Sequence, residues 1–454
     1  MTGQTDALTE RARAIVREER QQLLERTRKS NALYDRAVRS MPLGVASSFQ
    51  AGDPYPIYLS HGRGATVWDV DGSEYLDYHN GFGTMAVGHA HPKVVEAIDR
   101  AARRGTHFAV TTEETVLLAE ELCRRFRLDR VRFTNSGTEA TMDAIRVARG
   151  VTGRDVVLKI EGSYHGHHDT VMFSVVPNVA AMGDVAAPAS TPMSKGIPAE
   201  MAKWTVAVPF NDLDALETIL DVRGTEIACL IVEPVMMNIG IVVPEPGYLD
   251  GAKRLCERHG VVLIFDEVKC GATIAGGGAI ERYGVVPDLA CFAKAIGGGV
   301  PIGAFGGRAD LMDQIGSGIA QQGTYNGNPL AVAASLATLT QVLTADAYAH
   351  FAAIGQRLTA GCGKAIAEHG IPAHVVDLGC KGCVSYRPTP MRTYRDFLET
   401  NADLFDASWS WLVNRGIFMT PGNEEQWTLS VQHDDSHVDR YVEVFSAFCA
   451  ELAR

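Results

Sequence analysis

Short segments with the pattern of β-strands alternate with helical patterns through the middle of this chain. The strand candidates are residues 130–133, 156–160, 227–232, 261–265 and 289–293. Several of them are continuous apolar runs, the type that is buried on both faces of a parallel sheet. Strands that alternate with helices predict an α/β fold, in which helices cover both faces of a mostly parallel sheet.

The length of the chain predicts more than one domain. It has 454 residues, beyond the size at which a single hydrophobic core keeps growing. After about residue 340 the pattern changes to helix, short strands and helix. We therefore predict an N-terminal segment over residues 1–75, a large domain over 76–340 and a smaller C-terminal domain over 341–454.

Charge and composition exclude several classes of protein. The net charge of −12 argues against nucleic acid or an anionic membrane as a partner. No apolar run approaches the roughly 20 residues that span a bilayer. The nine cysteines are an odd number and scattered, which favours reduced thiols over a disulfide framework. Acidic residues are interleaved with the N-terminal arginines, unlike in a transit peptide. These features predict a cytoplasmic protein.

Local signals predict the remaining elements. Thr111 and Glu114 form a possible capping box, from which a helix runs to about Phe126. Residues 166–203 contain four prolines and predict a long loop, either an active-site lid or a disordered segment. The other expected elements are a long or broken helix over 5–40, a hairpin over 65–70 and 75–78, and a C-terminal helix over 438–452.

A lysine stands where one of the apolar strands ends, and an aspartate stands where another ends. Lys294 follows the run 289–293, and Asp266 follows the run 261–265. Burial favours the neutral amine of a lysine, which is then a nucleophile that forms a Schiff base with a carbonyl or with pyridoxal phosphate (PLP). Ligands bind beyond the carboxyl ends of parallel strands, so we expect both side chains in one crevice. An aspartate that keeps a pyridine nitrogen protonated, beside a lysine that holds an aldehyde, is the pairing that PLP chemistry needs.

An anion site is predicted between a strand and a helix. The stretch Thr134–Ala140 follows a strand candidate and opens a helix, where backbone N–H groups and hydroxyls converge. A capped helix without a ligand would have the same pattern. With Asp266 and Lys294 in the same chain, a cofactor phosphate is the better interpretation.

Three other motifs suggest different chemistry. Gly162–Asp169 contains three histidines and an aspartate, but the spacing fits no helical metal pair, and we favour stacking of the Tyr164 ring on a cofactor. Gly81–Ala86 satisfies a dinucleotide-binding pattern without a clear βαβ unit around it, which leaves a non-PLP oxidoreductase as an alternative. The pair Cys380 and Cys383 has no second pair at zinc spacing. We therefore predict no metal site; a catalytically inactive binding module is a third alternative.

The chain resembles the fold-type-I, class-III PLP aminotransferases, most closely their glutamate-1-semialdehyde aminomutase-like branch. The likeness covers roughly residues 40–440 and implies a large domain with a mostly parallel seven-stranded sheet, plus a smaller α+β domain built from the N- and C-terminal parts. The matching motifs are Val67–Gly72, Gly88–Pro92, Asn135–Ala140, Tyr164–His167, Val232–Pro234, Phe265–Val268, Lys294–Gly299 and Gly323–Pro329.

This resemblance implies a PLP enzyme that is a homodimer with shared active sites. Lys294 would form the Schiff base and Asp266 would pair with the pyridine nitrogen. The other implied cofactor contacts are Ser136, Gly137 and Thr138 at the phosphate, Gly323 and Thr324 at the phosphate of the partner subunit, Tyr164 and Val268 on the two ring faces, Asn238 at the phenolic oxygen, and Glu233.

The resemblance also implies an activity and a substrate pocket. The implied reaction moves an amino group between an amine or amino acid and an oxo acid, aldehyde or ketone; the alternative is a 2,1-aminomutase. The implied pocket residues are Gln50, Phe82, His165 and Glu425.

Three departures from the aminomutase pattern concern the substrate. Met236–Met237 precedes Asn238 where a small residue and glycine are usual. Phe82 replaces a tryptophan that is common in the aminomutases. Gln50 falls where the aminomutases have an arginine for the substrate carboxylate, and no residue from 40 to 62 is Lys or Arg. A neutral amide lacks the charge-assisted grip of a guanidinium. Arg387, Arg392 and Arg395 are the candidates for a replacement cation.

Overall fold

The computed structural model describes residues 2–454, which divide into two compact units. The first unit comprises the chain up to His91, His350–Pro390 and Glu399–Arg454. The second comprises Pro92–Ala349 and Met391–Leu398. The predicted domain boundaries, after residues 75 and 340, lie inside these units.

Helices and strands alternate along most of the chain. The strands are β1 (Leu59–Arg63), β2 (Thr66–Asp69), β3 (Glu74–Asp77), β4 (Arg130–Thr134), β5 (Val156–Ile160), β6 (Thr205–Val208), β7 (Ile227–Val232), β8 (Val262–Asp266), β9 (Leu289–Phe292), β10 (Gly303–Gly307), β11 (His374–Asp377), β12 (Lys381–Ser385), β13 (Ile417–Phe418) and β14 (Trp427–Thr428). The helices are α1 (Thr2–Arg26), α2 (Arg28–Ala37), α3 (Asn80–Gly83), α4 (Pro92–Arg104), α5 (Glu113–Phe126), α6 (Gly137–Thr152), α7 (Leu213–Arg223), α8 (Tyr248–His259), α9 (Gly278–Tyr283), α10 (Ala309–Met312), α11 (Pro329–Ala337), α12 (Ala345–His369), α13 (Tyr394–Phe397), α14 (Ala402–Asn414) and α15 (Asp435–Leu452).

The second unit is built on one seven-stranded sheet with the order β4-β10-β9-β8-β7-β5-β6. The neighbours from β9 to β6 pair in parallel, and β10 is antiparallel to both β4 and β9. Strands β5, β7, β8 and β9 are buried along their whole length, as their apolar sequences predict. Helix α6 packs on this sheet through Ala140, Ala144 and Ala148, whose small side chains bring helix and strands close. The predicted α/β fold with a mostly parallel seven-stranded sheet is confirmed.

The first unit contains two smaller sheets, with the orders β1-β2-β3-β13 and β11-β12-β14. The predicted hairpin is confirmed, because β2 and β3 pair antiparallel. Its core includes Leu23 of α1, Val67 and Tyr75 of the hairpin, and Val413 of α14. The predicted N-terminal helix is broken between α1 and α2, at Thr27.

One local prediction needs correction. The N-cap of α5 is Thr112, whose side chain accepts a hydrogen bond from Thr115 N, so the predicted capping box at Thr111 was one residue early. Strands β6 and β10 were not predicted. The expected loop 166–203 contains short 3₁₀ turns and the isolated bridges Phe173↔Pro192 and Gly183↔Pro188.

Within residues 2–454, no single helix is long and apolar enough to cross a membrane. The segments Pro329–Val342 and Ala345–His369 reach that length and composition only when taken together, across a bend of 72°.

Candidate active site

The two predicted catalytic residues lie at one edge of the seven-stranded sheet. Asp266 is the last residue of β8, and Lys294 begins a 3₁₀ turn just beyond β9. The two strands are parallel neighbours, with Asp266 opposite Cys291. Their carboxyl ends therefore deliver both residues to the same edge. Lys294 has a φ of 50°, a left-handed conformation that few non-glycine residues adopt and that occurs often at functional sites.

The carboxylate of Asp266 is buried and held by two donors. Oδ2 accepts a hydrogen bond from His165 Nδ1 at 2.7 Å, and Oδ1 accepts one from Val268 N at 3.0 Å. The ring of His165 is fully buried against Asp266, and the place in a substrate pocket predicted for it stays a prediction. Its Nε2 is a buried polar atom without a hydrogen-bond partner in the described part of the chain.

The predicted phosphate site is the N-terminus of α6, a helix of 16 residues. Ser136 caps it by accepting a hydrogen bond from Glu139 N at 3.2 Å. A Cβ at Gly137 would lie 3.0 Å from both Cγ atoms of Val268 and 3.5 Å from the Cβ of Ala293. Glycine at this position thus lets the helix start approach the exits of β8 and β9. Backbone N–H groups and the helix dipole make such a start a site for anions.

The loop that carries Tyr164 lies against the same helix start. Gly166 has a φ of +97°, and a Cβ there would lie 2.7 Å from the Cα of Thr138. Tyr164 N donates to Glu233 Oε1 at 2.9 Å. Burial raises the pKa of Tyr164, and the charge of Asp266 adds to the effect. The aromatic ring is therefore neutral and partly buried beside Asp266.

Glu233 connects several of the predicted cofactor residues. Its Oε2 accepts hydrogen bonds from Met237 N and Asn238 Nδ2, both at 2.9 Å. Burial raises the pKa of this carboxyl, and the charge of Asp266 also contributes. With Tyr164 N on its other oxygen, Glu233 holds the segment of Asn238 and the loop of Tyr164 in place. The Glu233 carboxylate thus accepts three hydrogen bonds from other residues of the chain.

Gly323 and Thr324 lie in an exposed turn of the second unit. Asn326, at the end of this turn, accepts a hydrogen bond from Asn135 Nδ2 at 2.9 Å. Asn135 also donates its backbone N–H to Glu139 Oε2 at 2.6 Å. The turn is therefore connected to the residue that precedes the phosphate site.

Three predicted pocket residues belong to the first unit. Phe82 lies in α3 with a φ of 55°, and its ring meets the ring of Phe49 edge to face at 6.1 Å. Gln50, the residue after Phe49, is exposed in a 3₁₀ turn. Glu425 is partly buried, and its Oε2 accepts from Gln426 Nε2 at 3.3 Å. Phe49 thus links the turn of Gln50 to the ring of Phe82.

Each of the three arginines proposed as a replacement cation already pairs with a carboxylate. The pairs are Arg387 with Glu399 at 3.0 Å, Arg392 with Glu245, and Arg395 with Glu161 at 3.1 Å. Arg395 also donates to the carbonyls of Met182, Gly183 and Asp184. Each of these arginines thus has a carboxylate partner within the chain.

Within residues 2–454, neither alternative motif has the geometry that its chemistry requires. Across residues 2–454, no three His, Cys, Asp or Glu side chains are arranged to hold a metal ion. The Gly81–Ala86 motif begins in a left-handed turn, with Gly81 at φ 60° and Phe82 at φ 55°, and the next long helix starts only at Pro92. It is therefore not the glycine loop of a βαβ unit.

Two buried lysines of the second unit were not predicted to have a role. Lys159 lies inside β5, and its Nζ donates to the carbonyls of Ser163 and Phe173. Lys269 follows Val268 and donates to the carbonyl of Met237. A lysine inside an apolar strand was the available signal for Lys159; Lys269 directly follows a matching motif but had no pattern of its own.

The residues present fit PLP. An anionic group fits the glycine-lined start of α6, a cationic ring nitrogen fits the buried carboxylate of Asp266, and an aldehyde fits the amine of Lys294. The buried, unpartnered Nε2 of His165 is a further polar atom in this region. Fold and site together define a fold-type-I PLP-dependent transferase.

Comparison with known proteins identifies the family. The profile of the aminotransferase class-III family matches residues 48–388. A glutamate-1-semialdehyde 2,1-aminomutase of Syntrophobacter fumaroxidans is 39% identical over 91% of this chain and 96% of its own. An omega-transaminase of Sphaerobacter thermophilus has a TM-score of 0.89 and 34% identity, covering 93% of this chain and 97% of its own. A glutamate-1-semialdehyde aminomutase of Pseudomonas aeruginosa in complex with PMP has a TM-score of 0.89 and 29% identity. The match covers 98% of this chain and 99% of that protein's chain. The chain belongs to the class-III aminotransferase family, so the predicted family, fold class and PLP cofactor are confirmed.

Proposed function

We propose that this enzyme is an aminotransferase in which Lys294 carries the cofactor and moves the proton. The observation that carries the proposal is the meeting of three features at one sheet edge: the paired exits of β8 and β9, with Asp266 and Lys294, and the start of α6. When bound, PLP supplies an aldehyde and an electron sink. With PLP bound, the Lys294 amine would act as the base that takes a proton from the substrate carbon and as the acid that gives it back.

Each remaining residue has a positioning role in this proposal. Asp266, oriented by His165, holds a proton on the pyridine nitrogen. Ser136, Gly137 and Thr138 bind the phosphate. Tyr164 and Val268 cover the two faces of the ring, and Asn238, held by Glu233, donates to the phenolic oxygen.

For the substrate, we propose an amine, or an amino acid whose carboxylate lies far from its nitrogen. Gln50 offers a neutral amide where the aminomutase-like branch has an arginine, and Arg387, Arg392 and Arg395 are engaged by carboxylates. The neighbourhood of Phe82 is aromatic instead, with Phe49 at 6.1 Å and His79 at 4.5 Å between ring centroids. Such rings favour apolar groups.

A 2,1-aminomutase is the second candidate. The relatives that are about 40% identical carry the name glutamate-1-semialdehyde 2,1-aminomutase. Such an enzyme would return the amino group to the adjacent carbon of the same molecule. The neutral amide of Gln50 argues against an aminomutase. Loss of a charge-assisted hydrogen bond worth about 1.5–3 kcal/mol lowers the affinity for a substrate carboxylate about ten- to a hundred-and-fifty-fold.

Steady-state kinetics on glutamate 1-semialdehyde and on a panel of carboxylate-free amines separate the two. We expect poor use of the semialdehyde, good use of some of the amines, and a gain on carboxylated substrates in Gln50→Arg. Gln314 is exposed in the second unit, so Gln314→Arg is the matched control for the change of charge and should bring no such gain. Efficient formation of 5-aminolevulinate by the wild type would refute the assignment.

We also propose a homodimer in the cytoplasm. Apolar side chains are exposed on the second unit, including Phe108, Val110 and Tyr325. The rings of His107 and Tyr325 lie 5.0 Å apart, which places the Phe108 loop beside the turn of Thr324. Exposed apolar patches of this kind are typical of protein interfaces. The nine cysteines are scattered and odd in number, which supports a reducing compartment.

A further inference from the structure

A second lysine leaves the sheet at the same edge as Lys294. Asp266 of β8 lies opposite Cys291 of β9, and each is followed three residues later by a lysine, Lys269 and Lys294. Lys269 is only 8% exposed, and its Nζ donates to the carbonyl of Met237 at 2.8 Å. A buried ammonium is costly and has to be compensated by polar groups around it.

The carbonyl that holds Lys269 belongs to a fixed segment. Met237 N and Asn238 Nδ2 both donate to Glu233 Oε2 at 2.9 Å. Lys269 is also the residue after Val268, whose side chain meets Gly137 at the start of α6. The Nζ of Lys269 therefore contacts the segment that carries Asn238, and its backbone directly follows the residue that packs on the start of α6.

We propose that Lys269 is a second cation of the cofactor site, which lies on the side of Asn238 and disfavours protonation of the Lys294 nitrogen once that nitrogen is joined to the cofactor. This inference rests on the proposed function. Two like charges in a site of low dielectric oppose each other more strongly than in water, so the proton on the Lys294 nitrogen is lost at lower pH. Lys269 acts as a positioning residue, because the proton transfer itself belongs to Lys294.

Other titratable groups lie near this edge of the sheet. The acids are Asp266 and Glu267 at the exit of β8 and Glu233 beyond β7, and burial raises the pKa of Glu267 to about 7. His165 and Tyr164 lie on the loop after β5. All of them are unchanged in a Lys269 variant, so a comparison with the wild type isolates the charge of Lys269.

The test is a pH titration of the visible absorbance of the PLP-loaded protein. In Lys269→Met we expect the midpoint of the absorbance titration to rise by about one pH unit, because a positive charge near the Lys294 nitrogen is removed. Lys269→Arg, which keeps the charge, should stay close to the wild type. Lys253→Met is the matched control: Lys253 also donates to a carbonyl, that of Val286 at 2.7 Å, but from α8. It should leave the midpoint unchanged.

Two results would overturn the inference. An unchanged midpoint in Lys269→Met, with a lower melting temperature, would reduce Lys269 to a structural partner of the Met237 carbonyl. If that variant does not fold, Lys269→Gln is titrated in its place, and an unchanged midpoint there has the same meaning. Borohydride reduction of the wild type followed by mass spectrometry separates this failure from that of the proposed function. Pyridoxyl on Lys294 leaves the function standing, whereas pyridoxyl on Lys269, or on neither lysine, contradicts both.

Discussion

The protonation of Lys159 should make the free energy of unfolding of the whole protein depend on pH. Lys159 is completely buried in β5, and burial lowers its pKa from the ordinary 10.5 to about 7, although Glu233 and Glu161 act in the opposite sense. Between pH 7 and 10 the unfolded state therefore binds more protons at this residue than the folded state. The contribution of this group to stability rises with pH over that range and declines as the pH falls toward 7.

Urea unfolding of the wild type and of Lys159→Met at pH 7, 8 and 9 measures this effect. As the pH rises, the unfolding free energy of the wild type should increase relative to that of Lys159→Met by about 1 kcal/mol per pH unit. Lys203→Met, a change at an exposed lysine, should show no such dependence on pH. A pH-independent difference for Lys159→Met would mean that Lys159 keeps its proton throughout this range.

Lys294→Ala tests the covalent role of the lysine that follows β9. The variant should lose turnover but keep its fold, and the start of α6 should still bind PLP without a covalent link. Borohydride treatment followed by mass spectrometry should label Lys294 in the wild type and leave the variant unlabelled. A pyridoxyl group on any other lysine of the wild type would contradict the assignment.

Sequence patterns found Lys294 and Asp266 because each residue ends an apolar strand. They did not find the partner of Asp266. His165 is 101 residues away in the chain, and the strand order of the sheet brings the two together. No local pattern encodes that order, so the sequence alone did not pair His165 with Asp266.

At the scale of elements, the contact between the Tyr164 loop and α6 depends on Gly166. A Cβ there would lie 2.6 Å from Thr138 Oγ1, and its φ of +97° is strained for any other residue. Gly166→Ala should push the loop from the helix start and weaken PLP binding about tenfold, or about 1.4 kcal/mol, as measured by equilibrium dialysis.

Gly153 is the matched control, because it caps the other end of α6. Its φ is +67°, and nothing lies within 4 Å of a Cβ built there. Gly153→Ala should cost about 1 kcal/mol of stability through backbone strain and leave PLP binding unchanged. Equal PLP affinities for the two variants would show that the loop does not need close contact with α6.

Strand β10 shows why one element of the sheet escaped prediction. Its sequence, Gly303–Gly307, has no apolar or alternating pattern. A Cβ at Gly303 would collide with the carbonyl oxygen of Ser136, and one at Gly307 would collide with that of Asp288. Glycine is needed here because the neighbouring backbone is so close. A strand made largely of glycine has no side-chain pattern from which it could be predicted. The apolar strands β5 and β7, by contrast, lie at their predicted residues.

The whole molecule should be a dimer in which Thr324 completes the site of the partner subunit. Thr324 is exposed in a turn that Asn326 connects to Asn135, the residue before the phosphate site. Because Thr324 is exposed, a second copy of the chain can contact it. Lys294→Ala and Thr324→Trp should each be inactive as homodimers.

Mixing these two variants distinguishes a shared site from a site within one chain. If Thr324 acts on the partner, each mixed dimer has one site with both residues intact, and full exchange restores about a quarter of the wild-type activity. If Thr324 acts within its own chain, every site in the mixture carries one of the two changes and no activity returns. Subunit exchange is verified by mass spectrometry of the intact dimers. The absence of recovery after verified exchange would contradict the shared site, and a monomer in sedimentation analysis would contradict the dimer itself.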